Sequence, residues 1–162
     1  MKNGPIKTCV TVRNSRIHGR GVFAKSDIPK GARIIEYVGE KITKAEAERR
    51  GDWRLKRYKN NPNMAAVYIF DLNKRYDIDG NVPYNKARYI NHSCDPNCEV
   101  EIIRGKIWIM ATKDIKKGDE LFYNYGYDLD SYEDHRCQCQ THRCVGFILA
   151  EEHWPHLKKK TS

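Results

Sequence analysis

Apolar and polar positions alternate in short runs along most of this chain, and turn-forming residues interrupt them every few positions. Val10 and Val12 alternate with polar neighbours, so the spacing predicts a strand. Gly19-Arg20-Gly21 breaks it before a second apolar run at Val22-Phe23. Ser26 to Gly31 reads as a turn followed by a strand over Arg33 to Val38. Ala65 to Leu72, AAVYIFDL, is rich in β-branched and aromatic residues and predicts a buried strand, with Asp77-Ile78-Asp79-Gly80 as its turn. Ile102-Ile103 and Lys106 to Ala111 predict a hairpin across Arg104-Gly105. Lys113 to Asp119 is another Lys/Asp/Gly turn. The stretches AKSDIPKGARI and ATKDIKKGDEL echo one another, as a shared turn type rather than a repeat.

Helix signals are scarce. Thr43-Lys44-Ala45-Glu46 has the form of a capping box, predicting a helix through about Arg50 that stops at Gly51. Arg49, Arg50, Arg54, Lys56, Arg57 and Lys59 then surround Trp53 and Tyr58, which makes either a nucleic-acid contact or a solvated helical face. The pattern as a whole predicts a mainly β domain with small helices, in the α+β class.

Composition narrows this only a little. A chain of 162 residues, 40% apolar and 31% charged, is one globular domain. No apolar run reaches the roughly 18–20 residues of a membrane span. The opening MKNGPIKTCVTV has no apolar signal core, so the expectation is an intracellular protein away from membranes. A net charge of +9 fits either solubility or a surface for nucleic acid or nucleosome. Gly19-x-Gly21 lacks the third glycine and the following helix of a dinucleotide fingerprint, so it reads as a turn.

Cysteine spacing changes the picture more. Six cysteines stand at 9, 94, 98, 137, 139 and 144, three of them within eight residues. In an intracellular chain that clustering favours metal over disulfides. Tetrahedral zinc needs four ligands, so Cys137, Cys139 and Cys144 require a fourth from elsewhere, and His135 and His142 flank the cluster as competitors.

The densest chemistry is Arg88 to Cys98, RYINHSCDPNC. Asn91-His92-Ser93-Cys94-x-Pro96-Asn97 resembles the core motif of SET-domain protein lysine methyltransferases. Three further blocks resemble that family in the same order. They are Gly19-Arg20-Gly21-Val22-Phe23, then Phe70-Asp71-Leu72 with Ile78-Asp79 and Asn85, and finally Gly118-Asp119-Glu120-Leu121 with Tyr123-Asn124-Tyr125-Gly126. Cys137-x-Cys139-x4-Cys144-x-Gly146 is similar to a post-SET zinc segment.

That resemblance implies a SET domain over 8–130 of β-clip type, with short sheets, a knotted-looking C-terminal crossing and an insert at about 40–85. A post-SET segment at 131–150 and a tail at 151–162 would follow. It implies transfer of methyl from S-adenosylmethionine to lysine, with Tyr125 catalytic and Tyr123, Tyr127 and Tyr68 lining the substrate channel. Arg20, Gly21, Val22, Phe23, Arg88, Asn91, His92, Tyr125 and Cys139 would bind the cofactor. Cys94 would complete a structural zinc site with Cys137, Cys139 and Cys144, leaving Cys9 and Cys98 as free thiols. Phe147 and Trp154 would close the cofactor pocket or cap the core, and Lys158-Lys159-Lys160 would be a solvated tail. Tyr123, rather than phenylalanine, points to a mono- or dimethylated product.

The sequence departs from the family at Asp79-Gly80, where Asp-Ala is commoner, at Tyr84-Asn85, where Gly-Asn is, and at Asn124, often aspartate. Only Cys9 stands where many histone methyltransferases have a cysteine-rich leading segment. The expected substrate is a histone or histone-like tail in chromatin. The alternatives are a ribosomal or DNA-associated protein, or a catalytically silent module that binds chromatin.

Overall fold

The computed structural model describes residues 9–57, 68–130 and 132–159. Tyr58, Lys59, Ala65 to Val67 and Lys160 lie outside them. The first hairpin pairs β1 (Val10–Asn14) with β2 (Arg20–Ala24), so that Gly21 stands opposite Arg13 and Phe23 opposite Thr11. A second sheet has the order β3-β9-β8, from β3 (Arg33–Tyr37), β9 (Lys106–Ala111) and β8 (Cys98–Ile103). Its β8–β9 hairpin turns on Arg104 and Gly105, both at positive φ (51° and 73°), the geometry that matches strand twist in a two-residue loop. Val22, Ile28, Ile90, Ile107, Ile109, Ile115 and Leu121 fill the core between these layers. Each such side chain contributes about 1.5–3 kcal/mol by leaving water.

The two echoing turns meet. Ile28 and Ile115 exchange both backbone hydrogen bonds at 2.8 Å. The Lys30 amide donates to Asp114 Oδ1 at 2.8 Å and the Lys117 amide to Asp27 Oδ1 at 2.9 Å. The Gly31 amide donates to the Ala111 carbonyl and the Gly118 amide to the Ala24 carbonyl. Each turn thus satisfies the other through equivalent atoms, a local two-fold arrangement that explains why both need Asp, Ile and Gly at the same spacing.

The insert forms a separate three-stranded sheet of order β4-β6-β5, from β4 (Glu40–Thr43), β6 (Tyr76–Asp79) and β5 (Ile69–Asp71). It departs from the sequence expectation in three places. The helix α1 (Lys44–Arg57) begins where Thr43 Oγ1 accepts from the Glu46 amide, but it runs through Gly51 rather than ending there. Interior glycine costs about 1 kcal/mol relative to alanine. Here Arg50 and Arg54, on either side of it, both reach Asp79 and hold the helix to the sheet. Asp77 to Asp79 is strand, not turn, with both aspartates buried and met by cations, Asp77 by Lys44 and Asp79 by Arg50 and Arg54. The turn lies at Asn73, whose Oδ1 accepts from the Arg75 and Tyr76 amides. Of the strand expected over 65–72, the described part is Ile69–Asp71, an edge strand only partly buried rather than a buried one.

The C-terminal crossing is a two-residue parallel pair, β7 (Asn91–His92) beside β10 (Phe122–Tyr123). Asn97 clasps it from the far side, its Nδ2 donating to the Glu120 carbonyl and its Oδ1 accepting from the Phe122 amide, each at 2.8 Å. The final stretch is helical in its described part. A 3-10 turn at Glu151–His153 leads into α2 (Trp154–Lys159).

Candidate active site and metal centre

A cleft of about 420 Å³ opens where the 17–20 loop, the 88–92 segment, Tyr125 and Tyr127, and residues 134–148 converge. Arg20, Arg88, Asn91, His92, Tyr125, Tyr127 and Tyr68 all line it. Gly21, Val22, Phe23 and Cys139 stand just beyond the lining. Val22 is fully buried in the core, Phe23 lies under the Arg13 guanidinium, and Cys139 belongs to the thiol cluster.

Tyr125 sits at the junction of these parts. Its hydroxyl donates to the Ile90 carbonyl at 2.9 Å and its amide donates to His92 Nδ1 at 3.1 Å. The Tyr123 ring is 5.0 Å away and the Tyr127 ring 6.0 Å, while Phe70 and Tyr37 extend the aromatic wall behind Tyr123. Burial, reinforced by Tyr127 and Tyr68, raises the Tyr125 phenol well above its ordinary range. The proton therefore stays on, committed to Ile90, and the lone pairs of the oxygen remain for a ligand. Burial likewise raises Tyr123, whose hydroxyl has no hydrogen-bond partner among the described residues. Tyr37 donates to the Tyr68 carbonyl at 2.8 Å and so fixes the far wall.

The Asn91 amide nitrogen lies 3.1 Å from the His18 carbonyl, 3.0 Å from the Arg20 carbonyl and 3.0 Å from Glu120 Oε1. Its side chain therefore shapes the 18–20 loop that forms one lip of the cleft. Glu120 completes the arrangement by accepting from Ser15 at 3.0 Å through Oε2. The sequence reading placed Glu120 in the last motif block without a role; its partners are distant in the chain, so spacing carried no signal of them. On the same lip the guanidinium groups of Arg20 and Arg88 lie 5.0 and 4.7 Å from the Tyr89 ring centroid. Hydrogen bonds from Arg88 and then Arg20 lower the Tyr89 phenol. His18, Arg136 and Gln138 also line the cleft and were not anticipated.

The four sulfurs of Cys94, Cys137, Cys139 and Cys144 all lie within 4.8 Å of one another. Zinc–sulfur bonds of about 2.3 Å in a tetrahedron require sulfurs about 3.8 Å apart. The Cys94–Cys137 separation is 3.7 Å. The Cys139 amide points at the Cys137 sulfur and the Gly146 amide at the Cys144 sulfur, donors that suit thiolates. The Cys94 thiol is held well below its ordinary range, chiefly by Cys137 and then by His92. The donor set fits zinc with no open position. His135 is not drawn into it; its ring packs edge-on against Tyr127 at 4.8 Å. Cys9 and Cys98 are buried apart from the cluster, and burial pushes Cys98 up to about 12, so it remains a thiol. Phe147 packs on Tyr132 at 5.2 Å, and the Trp154 indole donates to the Leu149 carbonyl. Both pack on the cysteine-bearing segment rather than line the cleft.

Comparison with known proteins matches the profile of the SET domain to residues 19–126. Human histone-lysine N-methyltransferase 2D is 36% identical over 144 residues, which cover 85% of this chain and 2% of that protein. The H3 lysine-4 specific histone-lysine N-methyltransferase of Saccharomyces cerevisiae is 37% identical over 148 residues, 88% of this chain and 13% of that protein. A variant-silencing SET domain-containing protein of Plasmodium falciparum is 36% identical over 145 residues, 87% of this chain and 6% of its own length. The chain therefore spans a small part of each of these relatives.

Proposed function

This chain belongs to the SET-domain family, and from that membership and the geometry of its cleft we propose that it is a protein lysine N-methyltransferase dependent on S-adenosylmethionine. The observation that carries the proposal is Tyr125, its phenol proton spent on the Ile90 carbonyl, in a cleft it lines with Tyr127 and Tyr68 while the buried Tyr123 ring packs behind it. Bound there, the cofactor supplies an electrophilic methyl group on a sulfonium. Arg20, Arg88, Asn91 and the backbone at His92 would hold it, the His92 ring being taken up by Tyr125 and Cys94.

A lysine ammonium, with a pKa of about 10.4, has no lone pair to attack with. Aromatic walls that exclude water disfavour the charged form, and a neighbouring positive charge disfavours it further. What remains is alignment, and that is the part the protein supplies. The Tyr125 oxygen accepts from the amine and faces the partial positive charge that develops on the transferring carbon. The Tyr123 hydroxyl, without a hydrogen-bond partner among the described residues, offers a polar group that could retain a water, which supports a mono- or dimethylated product. Tyr123→Phe is expected to shift the product distribution towards higher methylation.

The histone-lysine names of its relatives make a histone tail the first substrate to try, with chromatin as the setting. Trp53, Lys56 and Arg57 are exposed at the end of α1, and this basic, aromatic edge supports a contact with nucleosomal DNA. Among the described residues no helix is long and apolar enough to cross a membrane. The test is to incubate zinc-loaded protein with methyl-labelled S-adenosylmethionine and core histones, then map modified lysines by mass spectrometry. Labelled lysine supports the proposal. Cofactor binding without transfer to histones or to a whole-cell extract would favour a silent binding module.

A further inference from the structure

His92 makes two contacts that point in opposite directions. Nδ1 accepts the Tyr125 amide at 3.1 Å, and Nε2 lies 3.6 Å from the sulfur of Cys94. A backbone amide can only donate, so Nδ1 carries no proton and the ring proton must sit on Nε2. That proton then faces Cys94, which accepts well only as a thiolate, the form a metal enforces. The imidazole is buried, with 6% of its residue surface exposed, and its ring meets the Tyr125 ring at 67°. It has no room for a second orientation that keeps both bonds.

The backbone on either side has its own ties, the Ser93 amide donating to the Tyr123 carbonyl at 3.3 Å and Asn124 Nδ2 to the Leu149 carbonyl at 3.1 Å. β7 and β10 share only two paired positions, Asn91 with Phe122 and Tyr123 with His92, and Tyr125 lies two residues beyond the last. From there Tyr125 is fixed by its amide on His92 and its hydroxyl on Ile90, both within the 90–92 stretch. Cys94, two residues further along, is tied to Cys137 of the C-terminal segment.

We propose that His92 is a positioning residue that couples metal occupancy to the alignment of Tyr125, by donating through Nε2 to the metal-bound Cys94 thiolate while accepting the Tyr125 amide at Nδ1. The sequence expectation had His92 contacting cofactor. This role places its side chain between the metal centre and the tyrosine. The proposal rests on the methyltransferase reading only for its kinetic consequence.

Two half-replacements separate the contacts. In His92→Asn the carboxamide oxygen replaces Nδ1 but nothing reaches the sulfur. In His92→Gln the amide nitrogen replaces Nε2 but no acceptor meets the Tyr125 amide. In the zinc-loaded protein, both variants are expected to lose saturating transfer rate by about 10- to 100-fold, the usual scale for groups that orient metal ligands, with cofactor affinity kept. Zinc release to a chelator should quicken in His92→Asn and not in His92→Gln. Long-range proton–nitrogen spectra of wild-type protein should show the His92 proton on Nε2 in the zinc-loaded state. A proton on Nδ1, or weakened cofactor binding with an unchanged saturating rate, would overturn the proposal. If wild-type protein transfers no methyl group at all, the activity reading fails, while the tautomer and the zinc-release rates still decide the role of His92.

Discussion

The walls of the cleft and the insert beside it are built with different forces. Around the cleft, the 88–98 and 120–125 segments are joined by directional hydrogen bonds in which a side chain reads a particular backbone group. Asn97 pairs with both Glu120 and Phe122, and Asn91 holds the 18–20 carbonyls. The insert is joined by charge. Arg50 bridges Glu40, Glu46 and Asp79, Arg54 adds a second cation to Asp79, and Lys44 joins Asp71 to Asp77. Directional bonds to fixed backbone allow few alternatives, so they constrain residue type and spacing tightly. Ion pairs can be met by many combinations of residues. The first region is held to one geometry, and the second tolerates variation in its residues.

The largest effect that sharpens this contrast comes from the metal centre. Chelation, or Cys94→Ser, is expected to release the 134–148 wall of the cleft and abolish transfer, because a thiolate site is part of the folding free energy of its segment. Cys98→Ala, four residues away, should keep its zinc. Metal analysis together with hydrogen exchange over 134–148 would check both. If chelation left exchange in that wall unchanged, zinc would not be its support.

Asp79 is the corresponding weak point of the insert. Burial alone would raise this carboxyl, but Arg50, the Asn81 amide and Arg54 together hold it below its ordinary 3.8. A depressed carboxylate contributes stability that is present above its unfolded pKa and is lost as pH falls through the lower folded value. Acid titration below pH 3.8 is therefore expected to loosen the insert before the cleft. Asp79→Asn, which leaves Arg54 buried without its counter-charge, should cost about 3–5 kcal/mol at neutral pH and flatten that acid limb. Circular dichroism across the pH range with denaturant melts would show it.

Legibility in the sequence follows the same division. The motif around Asn91 to Asn97, the block ending at Tyr125 and the cysteine spacing announced themselves, because each places an unusual residue type where few others serve. The β8–β9 hairpin was legible for a similar reason, since a two-residue turn with both φ angles positive favours a glycine. Helix α1 was misjudged at Gly51, where the local signal was overridden by Arg50 and Arg54 reaching Asp79, a residue some 25 to 29 positions away. Asp77 and Asp79 read as turn residues for the same reason, since only the folded insert reveals their cations.

Gly80 shows the limit most clearly. A Cβ there would run into the Tyr37 ring, so glycine at this position is matched to this tyrosine. Gly80→Ala is expected to cost about 1–3 kcal/mol by overpacking. Combining it with Tyr37→Phe should recover little, since the clash is with ring carbons as well as the hydroxyl, whereas Tyr37→Leu should recover more. Recovery by the phenylalanine variant would place the conflict at the hydroxyl alone. The smallest effect belongs to the helix cap. Thr43→Ala should cost about 1 kcal/mol, felt in α1 and not at the cleft, and thermal melts paired with cofactor titrations would distinguish the two.

The central claim is that Tyr125 aligns the reacting groups rather than binding the cofactor. Single-turnover methyl transfer by Tyr125→Phe, with cofactor affinity measured by calorimetry on the same sample, tests it most directly. The account predicts a rate lowered by about 10²–10³-fold, the scale for removing one preorganised polar group at the reacting centre, with affinity retained. Transfer at the wild-type rate, or a loss that saturating cofactor restores, would contradict it.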